Sequence, residues 1–248
     1  MGIRLSEITW QEATKLIDEN SIVCLPIGGG TKEHGPHLPL GTDLMVTEEL
    51  AERVIEATPI FLLPALAYAY YPAFVDWIGS VSIEAENFKN FVADIIRSFA
   101  RHGVKKFLIL DGGVSTHFPM RILSYDMRNE LGVYVAVTNI RGLGKEVQLE
   151  VCEQEEGGHA DESETSCMLA IRSDLVKLNL ALKEYSTKIP NAFSESGILK
   201  VAVSGKMDSP HGINGDATLA NAEKGEKILD AMAQDIIRFV LSFDELKV

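Results

Sequence analysis

The chain has 248 residues, 46% of them apolar, with 23 basic and 36 acidic side chains and a formal net charge of −13. That is apolar content enough for one large core, and an acidic chain with no Lys/Arg-rich run is not one that coats nucleic acid. No apolar run approaches the roughly 18 to 20 residues of a membrane span, and no signal-peptide stretch opens the chain.

The first element in chain order is a helix announced by a capping-box pair, Thr9 and Glu12, ahead of Ala13, Leu16 and Ile17. A short apolar run, Ile22–Ile27, bounded by turn residues, reads as a buried strand, and Ile60–Ala65 reads the same way. Phe88, Phe91, Val92, Ile95, Ile96 and Phe99 then repeat at helical spacing, and Gly103 closes that helix. Further strands are expected at Phe107–Leu110, Val133–Val137 and Ile198–Val203. A helix is expected through Cys167-Met168-Leu169, and a last long one carries Ile228, Leu229, Met232, Ile236, Ile237 and Val240 on one face. Strands alternating with long helices predict an α/β fold: a three-layer αβα arrangement around a mostly parallel sheet, as one domain over residues 1–248. Cys24, Cys152 and Cys167 form no CxxC pair, and Cys24 lies within a strand-like run, so they read as reduced thiols in a cytoplasmic protein.

Sites in parallel sheets form beyond the carboxyl ends of the strands, so the polar loops there carry the candidate chemistry. Three qualify: Gly28 to Asp43 (GGGTKEHGPHLPLGTD), Asp111 to Phe118 (DGGVSTHF) and Gly157 to Ser166 (GGHADESETS). They hold His34, His37, His117 and His159, four of six histidines, among Asp and Glu residues. Imidazole nitrogen and carboxylate oxygen together are what zinc, manganese or iron requires. Taken one at a time, the same residues could instead be making local turn hydrogen bonds. Gly29 and Gly30 would let a substrate carbonyl approach backbone N–H groups, or would simply permit a tight turn.

The run GGGTKEHGPHLPLGTD resembles the motif of the creatininase (creatinine amidohydrolase-like) superfamily, in which a Gly-rich strand end leads into Glu-x-His-Gly-x-His and then Thr-Asp. GGHADESETSCML and GDATLANAEKGEKIL resemble two later motifs of that family, in the same order. The resemblance implies a compact α/β domain that binds one or two divalent metals and hydrolyses amide or related bonds of a small molecule, in members that are commonly hexameric. It places His34 on a metal histidine, Asp43 on the aspartate shared by two metals, His159 on an acid/base histidine, and Glu164 on a glutamate close to the metals. Two positions depart: Lys32 stands where the family has a glutamate ligand, and Gly113 where it has a histidine. Both lost ligands belong to one metal, so the expectation is one divalent ion per chain, held by His34, Asp43 and Glu164, with Lys32 replacing part of the other's charge. His159, Lys32 and Glu33 are the expected catalytic groups. Glu33, adjacent to His34, needs a break in the extended backbone to face the same way. His117 is the candidate nearest the lost histidine. Tyr70, Tyr71, Phe74 and Trp77 are expected either to wall a substrate pocket or to lie at a subunit contact. Two rival readings remain beside the hydrolase of C–N bonds: a silent binding or assembly subunit, and a ring-opening hydrolase that uses Lys32.

Overall fold

The computed structural model of the protein describes residues 1–185 and 204–247. The elements in chain order are β1 (Ile3–Arg4), α1 (Trp10–Leu16), β2 (Ile22–Ile27), α2 (Thr42–Ala57), β3 (Phe61–Leu62), α3 (Ala85–Ala100), β4 (Lys106–Asp111), α4 (His117–Leu131) and β5 (Tyr134–Val137). After these come α5 (Lys145–Val151), α6 (Glu162–Arg172), β6 (Lys183–Glu184), α7 (Gly205–Asp208), β7 (Gly215–Asp216) and α8 (Ala222–Asp244). Five strands form one parallel sheet in the order β1-β3-β2-β4-β5, and β6 and β7 form a short antiparallel ladder.

The centre of the sheet is β2 beside β4, in register from Ile22 opposite Lys106 to Ile27 opposite Asp111. Both strands are buried along their whole length, because each sends alternate side chains into a different helical layer. Ile22 and Cys24, with Leu108 and Leu110, pack against α2, α6 and α8. Val23, Leu25 and Ile27, with Phe107 and Ile109, pack against α3 and α4. Two cores divided by one sheet make the three-layer α/β arrangement expected from the sequence.

Thr9 and Glu12 form the anticipated capping box at the start of α1. The β3 strand is shorter than Ile60–Ala65 because only Phe61 and Leu62 pair with neighbours on either side. Phe91 departs from its expected place: it is 57% exposed, at the margin of an α3 stripe whose buried members are Phe88, Val92, Ala93 and Ile96. β1 left no readable run in the sequence, being two residues long. The expected strand Ile198–Val203 lies outside the described residues. Lys106, fully buried at the start of β4, donates from Nζ to the Asp244 carbonyl at 2.7 Å and so closes the C-terminus of α8.

Helices α6 and α8 pack tightly against each other, and one residue permits it. A Cβ on Gly225 would lie 1.9 Å from the Ser166 carbonyl oxygen of α6, a backbone atom that cannot swing away. Alanine is the better helix former by about 1 kcal/mol. Gly225→Ala is nonetheless expected to destabilise the fold by about 2–4 kcal/mol through overpacking, lowering Tm in a thermal melt by roughly 5–15 °C. An unchanged or raised Tm would refute the contact.

Candidate active site

The first two loops leave the sheet side by side, after Ile27 and Asp111, and α2 brings Asp43 back to them in its own first turn. A carboxylate there gains from the helix N-terminus. Asp43 is buried between two cationic or protonatable partners: Lys32 Nζ is 2.7 Å from Oδ2, and His34 Nε2 is 2.8 Å from Oδ1. Burial opposes ionisation of this carboxyl, but the Lys32 ammonium and His34 outweigh it and hold Asp43 well below the usual carboxylate range. The second nitrogen of His34, Nδ1, is 3.1 Å from the Lys32 carbonyl oxygen. Lys32 also lies over the rings of Tyr71 and Phe74, 5.2 and 4.8 Å from their centroids.

Glu33 and His34 do not diverge as adjacent residues of a strand would, since the segment is irregular and Gly35 turns it at φ +68°. Glu33 Oε2 is 3.1 Å from His159 Nε2, while Oε1 accepts from the Gly35 N–H. The Glu33 backbone N–H donates to Ser80 Oγ at 2.9 Å. Behind the carboxylate stands Gly212, at φ +71°, where a Cβ would come within 1.8 Å of Oε1. Gly212 was not among the residues singled out from the sequence. The Gly-Asn-Gly cluster HGINGD around Gly212 marks a turn but does not say which side chain it faces.

The third loop turns sharply at Ala160, whose φ of +47° is uncommon for a residue with a Cβ. Its N–H donates to Glu164 Oε2 at 2.6 Å, and Asp161 caps α6 by accepting from the Glu164 N–H. These bonds fix Glu164 beside His159, whose Nδ1 lies 3.9 Å from Glu164 Oε2. The His34 and His159 ring centroids are 4.8 Å apart, and the Phe74 ring lies 4.6 Å from that of His159, tilted by 49°. One donor atom each from His34, His159 and Glu164 lies within 4.8 Å of the other two. Lys32, Glu33, Asp43, His159 and Glu164 line a common cavity of about 140 Å³, and a larger one of about 520 Å³ shares Asp43 and Glu164 with it.

The described donors that converge on one point are His34, His159 and Glu164, imidazole and carboxylate of the kind a divalent cation takes, and Asp43 lies outside that group. Lys32 already neutralises Asp43 Oδ2, and a Cβ on Gly113 would meet Thr116 Oγ1 at 2.4 Å and Tyr71 Cε1 at 3.0 Å.

Other expected site residues lie further off. His117 opens α4, with Nδ1 3.1 Å from the Thr138 carbonyl oxygen and 4.0 Å from Asp111 Oδ2. Trp77 packs against Gly205 and Lys206, whereas Tyr71 and Phe74 line the smaller cavity. The Gly30 N–H is spent on the Ala67 carbonyl at 2.8 Å, and Gly29 backs onto Asp43 Oδ2 and the Tyr71 ring. His37 is buried with Nε2 2.8 Å from Thr165 Oγ1, and burial pushes it down to about 4. No helix among the described residues is long and apolar enough to cross a membrane.

Against known proteins, residues 6–240 match the creatininase family model, described as creatinine amidohydrolase. The chain belongs to the creatininase family. Its relatives include a creatinine amidohydrolase of Pseudomonas putida, 26% identical, with 95% of each chain covered. A 3-dehydro-scyllo-inosose hydrolase of Thermotoga maritima is 24% identical over 96% of this chain and 83% of that protein. A mycofactocin precursor peptide peptidase of Mycobacterium ulcerans is 25% identical over 94% and 90%. Among solved structures, a manganese form of creatininase superposes with a TM-score of 0.82 at 23% identity, covering 99% of this chain and 100% of that one. A zinc form of a creatininase variant gives 0.79 at 22% identity, with 99% and 100% covered. The creatininase fold is therefore shared along the whole chain.

One carboxyl of this family member is set to report on pH. Asp111 is fully buried, and burial pushes it up to about 7 from 3.8, against hydrogen bonds from Thr116 and the Gly113 N–H. A carboxyl raised on folding binds its proton more tightly in the folded state. Its stabilising contribution is complete below about pH 4 and is lost as pH rises towards about 7. Asp111→Asn removes that titration, so the variant should gain on wild type by on the order of 2–4 kcal/mol between pH 4 and pH 8 in denaturant titrations. Parallel pH profiles for the two proteins would show that Asp111 does not titrate there.

Proposed function

We propose that the protein is a metal-dependent hydrolase of a C–N bond, amide or cyclic amide, in a small molecule, using one divalent ion (zinc, manganese or iron) per chain. The observation that carries this reading is the position of Lys32. Its ammonium sits on one oxygen of Asp43, where a two-metal site would need another cation, while His34 and Glu164 keep donor atoms within 4.8 Å of each other. Family membership and the amide-cleaving relatives support the reaction class.

His34, Asp43 and Glu164 would hold the ion. When bound, it would polarise a carbonyl and activate water for attack. The rest falls to the chain's own groups. The Glu33–His159 pair, 3.1 Å apart, is where a proton can be kept and moved. Lys32 supplies a fixed positive charge on the cavity wall, and the Tyr71 and Phe74 rings exclude water from it. The working form would be a cytoplasmic homo-oligomer.

A second reading has one specific observation behind it. Lys32 and His159 line the same cavity, as an altered ring-opening hydrolase would require, and a Thermotoga maritima relative is a 3-dehydro-scyllo-inosose hydrolase. A silent subunit would be expected to have that cleft filled.

Protein purified without chelator should contain about one tightly bound divalent ion per chain by elemental analysis, and two stoichiometric ions would refute the proposal. His34→Ala should lose the ion and at least 10³-fold in turnover while remaining folded. Cyclic amides, dipeptides and cyclic ketones assayed side by side separate the readings. Turnover confined to ketones would favour the second, and none at all with a full metal complement would favour the silent subunit.

A further inference from the structure

We infer that His159 is a ligand of the metal through Nδ1 and that Glu33 is its orienting carboxylate, so that this chain has rebuilt a site whose other half it lost. The inference rests on the single-metal reading above and specifies the donor set.

Four observations converge on it. His159 Nε2 is 3.1 Å from Glu33 Oε2, a distance at which the ring N–H donates to the carboxylate. That bond places the proton on Nε2 and leaves the Nδ1 lone pair for a cation, which is how a metal-bound histidine is usually held from behind. Nδ1 faces Glu164, 3.9 Å from Oε2, and His159, Glu164 and His34 each offer one donor atom within 4.8 Å of the others. Two atoms about 4 Å apart can share one ion at the usual zinc distances of about 2.0–2.2 Å.

The third observation concerns Glu33. Its carboxylate is pinned by the Gly35 N–H, by the imidazole and by the bare Cα of Gly212 behind it, and it is 5% exposed. A group so constrained in aim serves better to orient a ring than to sweep protons between positions. The fourth is the neighbour of His159. Ala160 is held at φ +47°, and its backbone N–H reaches Glu164 Oε2, so that one strained turn fixes His159 and Glu164 relative to each other. Asp43 is ion-paired with both His34 and Lys32, which weakens its hold on a cation and leaves room for a further donor. A site that lost two ligands beside Asp43 thereby gains a nitrogen donor on its opposite flank.

Zinc affinity, measured on full-length protein by competition with a chromophoric chelator, tests the assignment without any substrate. Cobalt substitution adds the visible ligand-field spectrum as a second readout. His159→Gln should weaken zinc binding by at least 10²-fold and shift the cobalt bands. Glu33→Gln should weaken it by 10- to 100-fold with the bands nearly unchanged, since it acts from behind the ligand. The metal-free melting temperature of each variant shows that it folds, and His159→Asn serves if the glutamine variant does not. Zinc affinity in His159→Gln within threefold of wild type, with His34→Ala binding lost, would overturn the inference and leave the single-metal reading standing. A wild-type chain that takes up neither zinc nor cobalt would overturn both.

Discussion

A carboxylate removed from water must be compensated where it stands, and the arrangement of this protein follows from how Asp43 is compensated. Lys32 and His34 reach it from one short loop, and the first turn of α2 adds its partial charge. Removing either partner would leave a charge in a region of low polarity. The loop from Gly28 to Asp43 therefore closes on itself electrostatically before any ligand is considered. That closure gives the nearby imidazoles and Glu164 a rigid wall against which to be placed.

The remaining placement is a matter of packing. The central strands β2 and β4 are buried on both faces, so their ends are fixed by two cores rather than one. α6 carries Glu164, and α8 presses against α6 at a distance only a glycine allows. Errors in that helix contact would be felt at the site, because Glu164 lies in the first turn of α6. Glu162, two residues earlier, has its carboxylate taken by the Glu153 and Gln154 N–H groups and by Lys224, which anchors the same turn. Function-bearing and structure-bearing acids thus alternate on one short stretch of chain.

Much of this was legible in the residues alone. Buried parallel strands announce themselves as short apolar runs, and β2 was read to its ends. The amphipathic stripe of α8 and the capping box at Thr9 were equally plain, since each depends only on local spacing. β1 and the shortened β3 were not, because pairing over two residues leaves no periodicity to detect. Phe91 misled for a related reason: helical spacing places a residue near the apolar face without saying how far the neighbouring helix extends. In the site, the histidines and acids were identifiable by type and by motif, and the proximity of Lys32 to Asp43 followed from the departure at that position. The meeting of Glu33 with His159 was not readable, because it depends on a turn at Gly35 and on Gly212, about 180 residues away, giving way to the carboxylate. Trp77 and His117 were suggested by composition and neighbourhood, and packing drew them elsewhere.

The bare Cα of Gly113 limits which substitutions the site can accept. The room that a histidine there would need is taken by the Tyr71 ring and the Thr116 hydroxyl. Glutamate at position 32 alone would set two carboxylates against each other in a buried place, and histidine at position 113 alone would collide with an aromatic ring. The two positions are therefore coupled through their shared surroundings, and either is harder to change alone than with its neighbours.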